Sequence, residues 1–96
     1  LDDTLIPLPR PIVRVRNYGG RIILSVGENT VELSESAEMM WRSLAPDRDV
    51  RKLVELVVDA YDAPVDEVSS DVREWIAEMA ASGFIELRAA TDRPTP

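Results

Sequence analysis

Carboxylates are the groups in this chain best equipped for chemistry. Asp71, Glu74 and Glu78 follow an i, i+3, i+7 spacing that aligns them on one face of a helix. Asp62, Asp66 and Glu67 lie close in sequence, but they lack the glycine and the ligand alternation of a calcium loop. Two carboxylates can act as acid and base on a glycosidic bond, yet a helically spaced run reads more simply as a solvated face. Neither cysteine nor histidine is present. That removes a zinc ligand set, a disulfide framework, a haem site and any Cys–His or Ser–His–Asp centre. Lys52, tyrosine and serine complete a thin set of acid–base groups, so neither an enzyme nor a cofactor is expected.

Trp41 and Trp75 are the large aromatics that could serve recognition. Trp41 falls on a helical core stripe and is expected to be structural. Trp75 stands beside the stripe Val68, Val72, Ile76, Met79, which is complete without it. A tryptophan at such a flank can finish the core or line a groove that receives a partner. Met39, next to the core position Met40, is expected to be semi-exposed.

The elements that must position these residues follow from the apolar period. Val13 and Val15 alternate with Arg14 and Arg16, a strand with one wet face. Asn17-Tyr18-Gly19-Gly20 reads as a turn, and Ile22 to Val26 as a second, more buried strand. Gly27-Glu28-Asn29 turns again, and Thr30 to Leu33 is a third strand. Short turns favour neighbouring antiparallel pairs, so a three-strand meander with the third strand at an edge is predicted. From Ser34, an N-cap, the period becomes helical through Ala37, Met40, Trp41 and Leu44, and Pro46 is expected to stop that helix. Asp49 caps a second helix carrying Val50, Leu53, Val54, Val57, Val58 and Tyr61. Asp66 or a near neighbour caps a third, which Gly83 ends before Phe84, Ile85 and Leu87 return along the core. The predicted fold is α+β, of winged-helix-turn-helix character, with a three-stranded antiparallel N-terminal sheet followed by three helices.

Ninety-six residues with 45% hydrophobic content suit one domain. Residues 1–11, with Pro7, Pro9 and Pro11, read as an extended lead-in, 12–88 as the domain and 89–96 as a disordered tail. No apolar run approaches the roughly 20 residues of a membrane span, and no secretory signal opens the chain. A cytoplasmic protein without membrane contact is the default reading.

A winged helix first suggests DNA binding, and charge decides against it. The net charge is −7. Residues 1–33 are neutral, whereas 34–88 hold thirteen acids against six bases. The third helix carries Asp66, Glu67, Asp71, Glu74 and Glu78 against Arg73 alone. A nucleic-acid reader needs cations where phosphates lie, so no nucleic acid is expected and a winged-helix transcription regulator is the alternative reading. Arg10, Arg14, Arg16 and Arg21 on the first hairpin read as its solvated side. An edge strand beside an apolar-flanked helix suits an extended peptide instead, added as a further strand.

More specific is the run Leu33-Ser34-Glu35-Ser36-Ala37-Glu38-Met39-Met40-Trp41-Arg42-Ser43-Leu44. It resembles the segment of PqqD-like proteins that leads from the third strand into the first helix. Val50 to Val57 with Ala60-Tyr61-Asp62, and Val68 to Met79 with Gly83-Phe84-Ile85, resemble the segments that follow. The likeness spans about residues 10 to 88. Departures are Ala37 where glycine is common, Pro46-Asp47-Arg48-Asp49 in place of a D-G turn, and Gly27 to Ser34 in place of an aromatic-rich approach.

The resemblance implies a RiPP recognition element, a module that binds the leader of a ribosomally made precursor peptide. It would hand that precursor to a modifying enzyme: a radical SAM enzyme, a cyclase or a leader peptidase. Pathways to pyrroloquinoline quinone, to lasso peptides and to other peptide products are all open. Carried onto this chain, the backbone of Asn29, Thr30, Val31, Glu32 and Leu33 would pair with the leader. Val31 and Leu33 would share a groove with Val68, Val72, Trp75 and Met79. Asp71 and Glu78 would meet basic leader residues. An exposed edge strand can also pair between two copies, which allows an edge-strand homodimer.

Overall fold

The computed structural model describes residues 1–89, so the expected tail, apart from Ala89, lies outside the described residues. The strands are β1 (Ile6–Pro9), β2 (Arg14–Tyr18), β3 (Arg21–Val26), β4 (Asn29–Glu32) and β5 (Ile85–Arg88). Between β4 and β5 lie α1 (Glu35–Arg42), α2 (Val50–Tyr61) and α3 (Val65–Ala81). β2, β3 and β4 form the antiparallel meander in that order, while β1 and β5 pair antiparallel in a second sheet. The α+β reading holds.

Residues 6–9, expected as lead-in, are extended and also paired. Arg10 N–H donates to the Phe84 carbonyl at 3.0 Å, which makes 10 and 84 a bonded pair. Bonded pairs alternate along an antiparallel ladder, so Leu8 and Ile6 face β5 with their backbone groups, and Pro7 and Pro9 face away. Two prolines at a spacing of two thus lose no ladder hydrogen bond. Ile6 is 3% exposed, so β1 contributes to the core.

The N-terminal segment also serves α2. Leu5 and Asp3 carbonyls accept from Val50 N–H (2.9 Å) and Arg51 N–H (3.2 Å), and the Asp49 carboxylate accepts from Lys52 N–H (2.9 Å). Three of the otherwise orphaned first-turn donors are thereby satisfied. Arg73 of α3 reaches the same segment, pairing with the Asp3 carboxylate and donating to the Leu1 carbonyl.

Helix ends bear out some expectations and correct others. Ser34 caps α1 by accepting from Ala37 N–H at 3.2 Å, and Asp49 caps α2. α1 ends at Arg42, before Pro46: Ser43 N–H is shared between the Met39 and Met40 carbonyls, and Leu44 N–H takes the Trp41 carbonyl three residues back, so the last turn tightens and closes. Leu44 therefore packs on the core from outside the helix. α3 starts after Pro64 with no side-chain cap, and Asp66 and Glu67 sit in its first turn, where the helix dipole favours acids. Gly83 follows α3 at φ +86°, the left-handed conformation that suits glycine. β5 is the return expected along the core.

The core gathers Ile22 and Leu24 of β3, Leu33, Ala37 and Met40 of α1, the α2 stripe through Val57, and Val68, Val72, Ile76 and Met79 of α3. All of β2 is exposed, and Val15, expected on a buried face, is open because the helices cover β3 rather than β2. Trp41 is half-buried against the core, and Tyr61, expected on the α2 stripe, is 49% exposed at the end of its helix. No helix of the described residues is long and apolar enough to cross a membrane.

Ile6→Ala tests whether β1 is integral. A loss of about 2–4 kcal/mol in urea unfolding is expected, against near-neutrality for a free lead-in.

Candidate functional site

β4 is the outer strand of the meander, and no strand of the described residues covers its far side. Leu33 N–H donates to the Ile22 carbonyl at 2.9 Å. By alternation, Val31 with Leu24 and Asn29 with Val26 are also bonded pairs. The turn Gly27-Glu28 agrees, because the residues flanking a two-residue hairpin loop form a bonded pair. Thr30 and Glu32 therefore turn their backbone N–H and C=O groups away from β3. Those groups form the open edge.

This parity divides the run from Asn29 to Leu33. Asn29, Val31 and Leu33 direct backbone groups to β3 and side chains to the face shared with Ile22 and Leu24. Leu33 is buried and Val31 half-buried against the core. Thr30 and Glu32 direct side chains to the opposite, solvent face. There Glu32 pairs with Arg21 at 2.9 Å, and the carboxylate holds that guanidinium above its ordinary pKa through hydrogen bonding and charge. The Asn29 side-chain amide donates to the Ser82 carbonyl at 2.8 Å, tying the start of β4 to the end of α3.

On α3 the named residues separate into two sets. Val68, Val72 and Met79 are buried, with Val72 only 1% exposed, so their main work is packing. Trp75 is half-buried and rests on the core from the flank, while Asp71 and Glu78 are exposed. Arg73, the basic residue of α3, is taken up by Asp3 and the Leu1 carbonyl. The exposed acids of α3 thus stand without an ion pair among the described residues, and phosphate would meet repulsion there.

Val68, Asp71 and Val72 share one further feature. With Ser36 and Met40 of α1, Val57 and Tyr61 of α2, and Ala63, they line a largely apolar pocket of about 210 Å³. By their spacing Tyr61 and Met40 belong to core stripes, and no sequence pattern marks Ser36. An amphipathic tyrosine at the end of an apolar stripe, just before a chain break, was the available signal for a pocket wall. No group of His, Cys, Asp and Glu among the described residues is arranged to hold a metal ion.

A family model described as coenzyme PQQ synthesis protein D (PqqD) matches residues 20–85, from the start of β3 to β5. The chain belongs to the PqqD family. A protein of Rhizobium meliloti named PqqA binding protein is 24% identical over 68 residues, which cover 71% of this chain and 69% of that protein. No solved structure matches significantly. The match runs through β4, the three helices and the open edge. It leaves out β1 and β2, which both precede residue 20.

Asn29→Ala should cost about 0.5–1.5 kcal/mol in urea unfolding. It should also raise amide hydrogen exchange in β4, because the tie to Ser82 is what holds the start of that strand against α3.

Proposed function

We infer that this chain is a non-catalytic adaptor of PQQ biosynthesis or a related peptide-maturation pathway. It binds the leader of a ribosomally made precursor as a fourth strand antiparallel to β4 and presents it to a modifying enzyme. The observation that carries the reading is the pair Thr30 and Glu32. Their backbone groups face outward on an edge strand, in a chain of the PqqD family similar to a protein named for binding PqqA. An added strand satisfies those groups, and its alternate side chains fall on the face shared with Val31, beside α3. Acids on α3 then favour a leader with lysine or arginine.

Binding needs only a cytoplasmic peptide and no cofactor. A second copy pairing through β4 would occupy the same edge, so leader and edge-strand homodimer exclude each other.

Calorimetric titration with the PqqA peptide and with leaders encoded beside this gene, against a duplex DNA control, tests the reading. Saturable one-to-one binding to a leader and none to DNA is expected. Thr30→Pro should abolish it in protein whose circular dichroism is unchanged, because proline removes an outward N–H and leaves the β3 ladder bonded. Proline at Val31 would break that ladder instead. Trp75→Ala should weaken the leader by about 1–3 kcal/mol, and unchanged affinity would return Trp75 to purely structural work.

A further inference from the structure

The pocket between α1, α2 and α3 has the size and lining of a side-chain subsite. Its walls are Met40, Val57, Val68 and Val72, with Ser36, Tyr61 and Asp71 at the polar margin. Its volume is about 210 Å³. An apolar cavity of roughly 150 Å³ already admits benzene, so one leucine, methionine or phenylalanine side chain fits.

Its position ties it to the open edge. Ser36 follows Glu32, the last outward-facing residue of β4, by four positions. Four residues span at most about 14 Å of chain, which sets how far the pocket wall stands from the edge. A strand lying antiparallel to β4 runs with its N-terminal end toward Leu33 and α1. Its residues just upstream of the paired segment therefore head for the pocket.

The margin selects the neighbour of that side chain. Asp71 is exposed and forms no ion pair among the described residues, and Glu67 and Glu74 lie one helical turn to either side on the same exposed run. The nearest arginine in sequence, Arg73, is engaged by Asp3. A cation arriving beside the pocket meets an uncompensated carboxylate, and an anion meets repulsion.

We propose that this pocket is a specificity subsite of the peptide edge, holding one large apolar side chain of the bound peptide with a lysine or arginine next to it opposite Asp71. The apolar residue lies no more than about four positions N-terminal to the peptide residue paired with Glu32. This rests on the reading of β4 as the peptide-binding edge. The apolar contact supplies affinity, since burying such a side chain is worth about ten- to hundred-fold in binding. Asp71 supplies preference, at about two- to five-fold for a partly exposed pair.

The test is selection of a phage-displayed random-peptide library on the folded protein, followed by titration and amide chemical-shift mapping with the enriched peptides. Enriched peptides should carry an apolar residue beside lysine or arginine, and should shift the amides of Ser36, Tyr61 and Asp71 together with those of Thr30 and Glu32. Alanine at the apolar residue should weaken binding at least ten-fold. Ser36→Leu, which fills the pocket mouth, should weaken the parent peptide equally but leave the alanine version nearly unaffected, the coupling expected of a direct contact. Asp71→Asn should cost two- to five-fold and flatten the salt dependence.

Peptides that shift Thr30 and Glu32 but not Ser36, Tyr61 and Asp71 would overturn the subsite and leave the edge reading intact. An apolar-to-alanine change worth less than two-fold would do the same. Failure of the folded protein to enrich any peptide would overturn both.

Discussion

The organisation of this protein depends on the demand that each backbone N–H and C=O find a partner, met in the meander by strict alternation. β3 satisfies it on both sides, Ile22, Leu24 and Val26 bonding toward β4 and the residues between them toward β2. β4 has a partner on one side only, so the pairs formed with β3 decide which of its residues are left with open groups. The hydrogen bond from Leu33 to Ile22 sets that parity. It also sends Val31 and Leu33 to the core face and Thr30 and Glu32 to solvent, because side-chain direction and backbone direction alternate together. A one-residue slip would put Glu32 in the core and Val31 at the edge, which burial of Leu33 forbids.

The same constraint explains the N-terminal segment. Proline cannot donate, so prolines spaced by two can join a ladder only with their nitrogens turned outward. Pro7 and Pro9 do this against β5. Composition made that stretch look like a spacer. What makes it part of the domain is a set of long-range partners: Phe84 and β5 for its hydrogen bonds, Val50 and Arg51 for its carbonyls, Arg73 for Asp3. It holds the start of α2 and one face of α3, and so fixes the helices against which the edge strand and the pocket are built.

Charge works at a different level from packing. Residues 34–88 hold the excess of acid, and on α3 those acids lie outward while Val68, Val72, Ile76 and Met79 lie inward. Removing Arg73 into an internal pair with Asp3 leaves the outer face of α3 unneutralised. The helix is thus apolar toward the core, acidic toward solvent, and bounded at one end by the Asn29 tie to Ser82. Such a surface attracts cations and repels phosphate.

Much of this was legible in the residues alone. Periods of two and 3.6, the glycine turns, Ser34 and Asp49 as caps, and Gly83 as a stop located the meander and three helices, because these signals act within a few residues. The absence of cysteine and histidine and the sign of α3 limited the chemistry before any fold was known. Tertiary structure decided the rest. The pairing of β1 with β5, the exposure of β2 and the emergence of Tyr61 as a pocket wall each depend on elements far away in sequence, and the assignment of Thr30 and Glu32 to the open edge depends on the register with β3. Local patterning can say that a strand is an edge; the register of its pairing, fixed here by the two-residue turn and the Leu33–Ile22 bond together, says which of its backbone groups face out.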